Sequence, residues 1–238
     1  MPLSAPIHEL KRKARLLSRN ERIPLHAALD RIAAEEGYRS WSLLAVRQPA
    51  LLPAAGVLLP QLSPGDLVLM AGRPGHGKTL ASLALLAEAV RAGRRGVFFT
   101  LAYTPSDVAS RLHALGISPS ELSGLFDCDY SDAISADYIA TALAAAPCGT
   151  VAVIDYLQLL DQRRDMPELS VQVRALRSFA RERGLILVFI SQVDRSYETS
   201  GKPFPDIGDV RLPNPLDLSL FDKTCFLNRG EARFTAAA

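Results

Sequence analysis

The sequence contains few of the residues on which metal, redox and membrane proteins depend. It has four histidines and three cysteines in 238 residues, and the cysteines do not lie at metal-site spacing; they are Cys128, Cys148 and Cys225. An odd number of widely spaced cysteines predicts free thiols in a reducing compartment. No run of about 18 apolar residues occurs, and no signal-peptide core stands near the first residue. We therefore expect a cytoplasmic protein with neither a zinc site nor a membrane segment.

The sequence also has little excess of positive over negative charge. Lysine and arginine number 27 and aspartate and glutamate 25, so the net charge is +2. So small an excess does not by itself indicate a nucleic-acid or membrane partner. The hydrophobic share of 48% is that of an ordinary soluble protein, and the chain is long enough for one α/β core with a small appendage.

Apolar periodicity divides the chain into three parts. Residues 1–45 repeat apolar side chains at helical spacing, which predicts a small helical appendage, and the proline-rich residues 46–64 predict a linker. From residue 65 to 238, near-continuous apolar strands alternate with amphipathic helices. This alternation predicts an α/β domain with a mostly parallel sheet that helices cover on both faces. Ligands of such sheets bind where the strands end.

A glycine-rich turn follows the first predicted strand and fits the P-loop pattern G-x-x-x-x-G-K-S/T. Its residues are Gly72, Arg73, Pro74, Gly75, His76, Gly77, Lys78 and Thr79. The glycines let successive backbone N–H groups converge on a phosphate, and the start of the next helix adds its dipole. In this pattern Lys78 reaches the β- and γ-phosphates, and the Thr79 hydroxyl binds Mg²⁺. The turn therefore predicts a nucleotide site.

A second magnesium ligand is predicted at the end of another strand. In "TVAVIDYLQLL" four apolar strand residues end in Asp155, where P-loop enzymes carry a magnesium-binding aspartate. The alternative is an aspartate that merely terminates a strand. The P-loop upstream favours the metal ligand.

These stretches resemble the RecA-like ATPase domain of DnaB-type replicative DNA helicases. "LSPGDLVLMAGRPGHGKT", "VIDYLQLL" and "ELSVQVRALRSFARERGLILVFISQ" are similar to that family in order and spacing, over about residues 57–229. The resemblance implies a RecA-like fold, ATP and Mg²⁺ as cofactors, movement along single-stranded DNA and a hexameric ring. It also implies that Gln192, which follows Ser191 at the end of a strand, senses the γ-phosphate. The alternative is that Ser191 and Gln192 are only a polar pair that terminates the strand. Arg195 matches a family arginine or is a surface charge.

The sequence departs from this family at three places. Ala102 stands where the family has the glutamate that orients the attacking water, and neither Asp107 nor Glu88 is an obvious substitute. The family's Lys-x-Arg-Asn-Gly arginine-finger pattern is missing, and nothing favours Arg229 or Arg233 in its place. The family's DNA-loop segment is replaced by "DVRLPNPLDLSLFDK". Lys78 and Gln192 remain as the catalytic candidates, without a glutamate base.

Basic residues cluster in the first predicted helix and the turn after it: Lys11, Arg12, Lys13, Arg15, Arg19 and Arg22. Such a cluster either follows a DNA backbone or is a solvated helix face. No aromatic residues interleave with these charges to stack on bases.

The sequence as a whole predicts a Mg-ATP-binding, DnaB-helicase-like protein of DNA metabolism that hydrolyses ATP slowly. The alternative is a nucleotide-binding module without turnover that regulates a protein partner. Because the finger pattern is missing, we expect a monomer or small oligomer, although the resemblance implies a hexameric ring. Single-stranded DNA remains a candidate partner in the first interpretation, and no membrane partner is expected.

Overall fold

The structure is a computed structural model that describes residues 4–5, 7–21, 23–41, 44, 58–122, 124–161, 166–212 and 214–236. It divides into two compact units, Met1–Pro49 and Ala50–Ala238, which are described separately. Within the described residues, no helix is both long and apolar enough to cross a membrane.

The first unit is built on two helices, α1 (Ile7–Glu21) and α2 (Leu25–Glu35). Their apolar residues recur every three or four positions and bury a small core of Leu10, Ala14, Ala28, Ile32, Ala33 and Leu44. The sequence predicts a short third helix after Ser40. Most of that stretch lies outside the described residues, as does most of the predicted linker.

The second unit is a seven-stranded sheet with helices between its strands. The strands are β1 (Leu67–Gly72), β2 (Gly96–Thr100), β3 (Phe126–Asp129), β4 (Val151–Asp155), β5 (Ile186–Gln192), β6 (Lys223–Asn228) and β7 (Glu231–Ala236). The longer helices are α3 (Lys78–Arg91), α4 (Pro105–Ala114), α5 (Ala136–Ala142) and α6 (Leu169–Arg183). The strand order is β3-β2-β4-β5-β1-β6-β7, parallel except for β7.

Strand residues feed two hydrophobic cores, one on each face of the sheet. Successive side chains of a strand point to opposite faces, so Leu69 and Phe99 join one core while Met70 and Phe98 join the other. Helix α6 covers the first face, and helix α3 covers the second. Burial on both faces explains why these strands are apolar almost throughout, and it confirms the predicted α/β fold with a mostly parallel sheet.

Strand β7 is not predicted from the sequence. It pairs antiparallel with β6 through a two-residue turn in which Arg229 and Gly230 have φ angles of 49° and 89°. Positive φ at both central residues is typical of hairpin turns whose twist matches that of the strands. The strand lies at the edge of the sheet and is only half-buried. Its mixed composition therefore gives a weak strand pattern.

The parallel strands bring the predicted site residues to one edge of the sheet. In the register of β2 with β4, Thr100 lies beside Asp155, and in the register of β1 with β5, Gly72 lies beside Gln192. The ends of four strands, β1, β2, β4 and β5, therefore meet where the sequence predicts a ligand.

Candidate nucleotide site

The glycine-rich turn joins β1 directly to α3. Gly75 and Gly77 have φ angles of 83° and 86°, which residues with a side chain rarely adopt. Gly72 is required for a different reason, because a Cβ atom there would lie 2.7 Å from the carbonyl oxygen of Leu227 on β6. Pro74 lies exposed in this loop. The backbone thus has the left-handed residues and the close strand contact that a phosphate-binding loop needs.

Lys78 is the first residue of α3 and its side chain folds back over the loop. The ammonium group donates hydrogen bonds to the carbonyl oxygens of Gly72 at 2.8 Å and Arg73 at 3.1 Å. Burial lowers the pKa of Lys78 to about 8, a net shift that the negative charge of Asp155 opposes and the positive charge of Arg73 assists. An anionic ligand would favour the charged form of this lysine.

Thr79 and Asp155 lie together, as the sequence predicts for two magnesium ligands. The Thr79 hydroxyl donates to a carboxylate oxygen of Asp155 over 3.1 Å. Burial raises the pKa of Asp155 to about 6, although the Thr79 hydrogen bond and the charges of Lys78 and Arg111 lower it. A hydroxyl and a carboxylate are oxygen donors of the kind that Mg²⁺ prefers, and a dication would compensate the buried carboxylate. These residues fit a magnesium ion.

The end of β5 lies beside the glycine-rich turn. The Ser191 hydroxyl is buried and has no hydrogen-bond partner among the described residues, whereas the Gln192 side chain is half-buried. A buried polar group without a partner is costly, so this hydroxyl is an exception among buried polar groups. The backbone N–H of Val193, the next residue, donates to the carbonyl oxygen of Gly72 over 3.2 Å.

The end of β2 carries no carboxylate where the helicase family has its glutamate. Ala102 is exposed, and its N–H donates to the buried Thr100 hydroxyl over 3.1 Å. Asp107 instead caps α4, and hydrogen bonds from Thr104 hold the pKa of Asp107 below its ordinary value. Glu88 pairs with Arg91 on α3, almost three turns beyond Lys78.

Tyr103 is a site residue that sequence reasoning missed. Its hydroxyl lies within hydrogen-bond distance, 3.2 Å, of the Thr79 hydroxyl, an oxygen that is predicted to bind magnesium. The Arg111 guanidinium lies over the Tyr103 ring, 4.0 Å from its centroid, which is a cation–π contact. A tyrosine one position after the expected acid is the only sequence signal. The contact with Thr79 depends on the strand order, because β2 lies next to β4, whose last residue, Asp155, also contacts Thr79.

The first variable residue of the turn, Arg73, anchors it to the segment after β5. Its guanidinium pairs with the Glu198 carboxylate at 2.8 Å and donates to the Val193 carbonyl oxygen at 3.0 Å. The sequence predicts Arg73 as part of the phosphate loop but does not predict its contacts with Glu198 and Val193. Arg195, in the same segment as Glu198, is exposed.

The two arginines considered as finger substitutes lie in the β6–β7 hairpin. Arg229 occupies the turn, and Arg233 lies over the ring of Phe204 at 4.3 Å from its centroid. Arg233 therefore packs against the long segment between β5 and β6. Neither position adds to the nucleotide site of its own chain.

Comparison with known proteins agrees with this geometry. Residues 60–204, more than half of the chain, match the family model described as "ATPase: KaiC". The replicative DNA helicase DnaB of Synechocystis sp. is 28% identical over 182 residues, a match that covers 63% of this chain and 21% of the helicase. The chain thus spans about one fifth of the length of this relative.

Solved structures share the fold. One that consists of an ATPase domain superposes with a TM-score of 0.56 at 20% identity, with 70% of each chain covered. A DnaB-like replicative helicase, studied for its interactions with primase, gives 0.54 at 21% identity, with 69% of this chain and 47% of the other covered. The KaiC-like protein PH0186 of Pyrococcus horikoshii gives 0.52 at 19%, with 68% and 71% covered. The predicted RecA-like fold and the predicted resemblance to the ATPase domain of DnaB-type helicases are confirmed.

Proposed function

Since the chain belongs to the KaiC family of ATPases, we propose that it binds ATP with Mg²⁺ and hydrolyses it slowly. The observation that carries this proposal is the contact between Thr79 and Asp155 beside the folded-back Lys78. Two side chains from the start of α3 and one from the end of β4 thereby combine one cation with two oxygen ligands. That combination suits a magnesium-bound polyphosphate.

The residues would divide the ligand between them. The backbone N–H groups of Arg73 and of residues 75–78 would donate to the phosphates, and Lys78 would exchange its carbonyl partners for phosphate oxygens. Thr79 and Asp155 would hold Mg²⁺. When bound, the ion neutralises charge on the phosphate oxygens. Gln192, half-buried at the end of β5 beside Gly72, is proposed to contact the γ-phosphate.

Slow turnover follows from the end of β2. Hydrolysis needs a water held in line with the γ-phosphate, and a positioned base contributes about 10²–10⁴-fold in rate. Ala102 cannot accept a proton, and Asp107 is engaged in the cap of α4. The sequence also lacks the family's finger pattern, which would supply positive charge to the transition state. We therefore propose a rate well below that of a helicase.

The wider role that we propose is in DNA metabolism in the cytoplasm. The support is the similarity to a protein named as a replicative DNA helicase, and this chain spans only about a fifth of that protein. The second candidate is a nucleotide-binding module that regulates a protein partner without turnover. The hydrogen bond between Tyr103 and Thr79 favours it, because this bond occupies an oxygen that Mg²⁺ requires.

One pair of measurements distinguishes the two candidates. ATP binding is measured by titration with and without Mg²⁺, and the steady-state ATPase rate is measured with and without single-stranded DNA. Magnesium-dependent binding with slow turnover supports an ATPase. Binding without turnover supports the regulatory module, and absence of binding refutes both.

We also propose that the protein is a monomer or small oligomer without nucleotide. Enzymes of this fold complete their sites with residues from a neighbouring subunit, which favours rings. This chain lacks the finger pattern that makes such a neighbour necessary. Light scattering of the nucleotide-free protein tests the proposal, and a stable hexamer would contradict it.

A further inference from the structure

Four basic residues of the first unit form a continuous stripe on α1, here named the basic stripe: Lys11, Arg12, Arg15 and Arg19. At 3.6 residues per turn, these positions fall within roughly 100° of one another around the helix. All four side chains are exposed. The fifth and sixth basic residues of the predicted cluster do not belong to it, because Lys13 lies on another face and Arg22 lies outside the described residues.

Packing fixes the direction in which the basic stripe points. Leu10 and Ala14, on the opposite side of α1, are buried in the core that it forms with α2. The helix cannot rotate without exposing these residues. Amphipathic membrane helices bind by inserting their apolar face into the lipid surface. The apolar face of α1 is not available for this, because it is packed in the core of the unit.

The described acidic residues of the unit that could neutralise the basic stripe are engaged elsewhere. Glu35 pairs with Lys13 at 2.7 Å, and Glu21 pairs with Arg31. Glu36 accepts hydrogen bonds from Ser4, and Asp30 accepts one from the backbone N–H of Trp41. Among the described side chains, no carboxylate lies within ion-pair distance of the four stripe residues. Within that set, their charges are therefore uncompensated.

The charge of the chain is concentrated in this unit. Residues 1–49 contain nine lysines and arginines against five aspartates and glutamates, whereas the remaining residues contain eighteen against twenty. The small net charge of the whole chain is thus the sum of a positive net charge in residues 1–49 and a slightly negative one in the remaining residues. Such asymmetry is typical of proteins in which one part contacts a polyanion.

We propose that the basic stripe binds the phosphate backbone of a nucleic acid without regard to base sequence. From Lys11 to Arg19 it extends about 12 Å along the helix, which is three to four nucleotide steps of a duplex. Both aromatic residues described in the unit, Tyr38 and Trp41, pack against its core and do not interleave with the stripe. Contact with phosphates, without base stacking, is what this composition supports.

The test measures binding of the full chain to fluorescently labelled DNA of mixed sequence, about 20 nucleotides long, single-stranded and as a duplex. Nucleotide is left out, so that the result does not depend on the ATP site. The test variant is Arg12→Gln/Arg15→Gln. The control variant Lys13→Gln/Arg31→Gln removes the same charge from the same unit but only from residues that already have carboxylate partners.

We expect the test variant to bind at least about tenfold more weakly at roughly 0.1 M salt and the control variant to bind like the natural protein. Each lost phosphate contact should lower the slope of log K against log salt by about 0.7 for single strands and 0.9 for duplexes. Thermal unfolding of both variants, which should match that of the natural protein, excludes a loss through misfolding.

Three outcomes would overturn the proposal. In the first, the natural protein binds neither the single-stranded nor the duplex DNA. In the second, both variants weaken binding equally, which would indicate that binding depends on net charge and not on the basic stripe. In the third, vesicles containing phosphatidylserine bind the protein with the same dependence on Arg12 and Arg15 while DNA does not. Failure of ATP binding, in contrast, would refute the proposed function and leave this inference intact.

Discussion

The predicted nucleotide site has two halves that use their charged residues differently: a binding half, formed by the glycine-rich turn and the end of β4, and a catalytic half, at the end of β2. At the ends of β1 and β4, burial shifts the pKa of Lys78 to about 8 and that of Asp155 to about 6, so both are biased towards their neutral forms. After the end of β2, the next acid in the sequence, Asp107, has a pKa below its ordinary value because it accepts hydrogen bonds from Thr104 in the cap of α4. A bound nucleotide and its metal ion would supply the opposite charges that the buried Lys78 and Asp155 lack. Asp107, in contrast, already uses its carboxylate to stabilise the start of α4.

The residues expected for nucleotide binding and the acid expected for hydrolysis thus belong to different strand ends of the same sheet edge. Holding a nucleotide requires a loop and two strand ends, all of which are present. Hydrolysis also requires an acid on a third strand, where this chain has Ala102 and Tyr103. A family match therefore supports the binding half more firmly than the catalytic half.

The largest expected effect comes from removing Lys78. ATP with Mg²⁺ should raise the melting temperature of the natural protein, because ligand binding to the native state stabilises it. Lys78→Ala should weaken ATP binding about 10–100-fold, since charge-assisted hydrogen bonds contribute about 1.5–3 kcal/mol. Arg174→Ala removes an exposed positive charge on α6 and should leave the shift unchanged. Equal shifts in both variants would contradict the phosphate-loop assignment.

The next effect concerns pH and the magnesium ligand. Because burial raises the pKa of Asp155 to about 6, the carboxylate that is proposed to bind Mg²⁺ becomes protonated below that pH. Magnesium-dependent ATP affinity should then fall about tenfold per pH unit below 6. Asp155→Asn should bind weakly at every pH, without this slope. Isothermal titration across this range measures both, and an unchanged affinity at low pH would exclude Asp155 as a ligand.

The same shift predicts how the stability of the nucleotide-free protein changes. A raised carboxyl pKa means that folding favours the protonated form. The stabilisation is complete below the ordinary value of 3.8 and is lost as the pH rises through about 6. The free energy of unfolding should therefore decline over this interval relative to that of Asp155→Asn. Denaturant titrations compare the two, and parallel profiles would count against burial as the cause.

A smaller effect is expected from restoring an acid to the catalytic half. Ala102→Glu should raise ATP turnover severalfold and leave ATP affinity nearly unchanged. The full contribution of a base, about 10²–10⁴-fold, is not expected because the finger pattern is missing. Ala102→Gln has a similar shape without the acid and should give no gain. Brisk DNA-stimulated turnover in the natural protein, with no gain in Ala102→Glu, would mean that another acid is the base.

The smallest effect tests the tyrosine. Tyr103→Phe removes the hydroxyl that lies 3.2 Å from Thr79 and should tighten Mg²⁺-dependent ATP binding about two- to fivefold, in keeping with one neutral hydrogen bond. Tyr138→Phe is the control, because its hydroxyl bonds Asp129 instead. Weaker magnesium binding in Tyr103→Phe would show that the hydroxyl assists the ion and does not compete with it.

Much of the fold could be predicted because its signals are local. The glycine-rich turn occupies eight consecutive residues between an apolar strand and a helix, and Asp155 terminates another apolar strand. A parallel sheet buried on both faces imposes continuous apolar runs, which are visible in sequence. Strand β7 was missed because a half-buried edge strand imposes no such run.

The predictions of a phosphate-binding loop, of a magnesium-binding role for Asp155 and of a missing acid at Ala102 all came from the sequence alone, since each depends on residue types at fixed local positions. The side chains around these residues become visible only in the folded protein: Tyr103 lies beside Thr79, and Arg73 pairs with Glu198, 125 residues further along the chain. The physical reason is that such contacts depend on strand order and register. Order and register arise from packing the whole sheet, and no local periodicity specifies them.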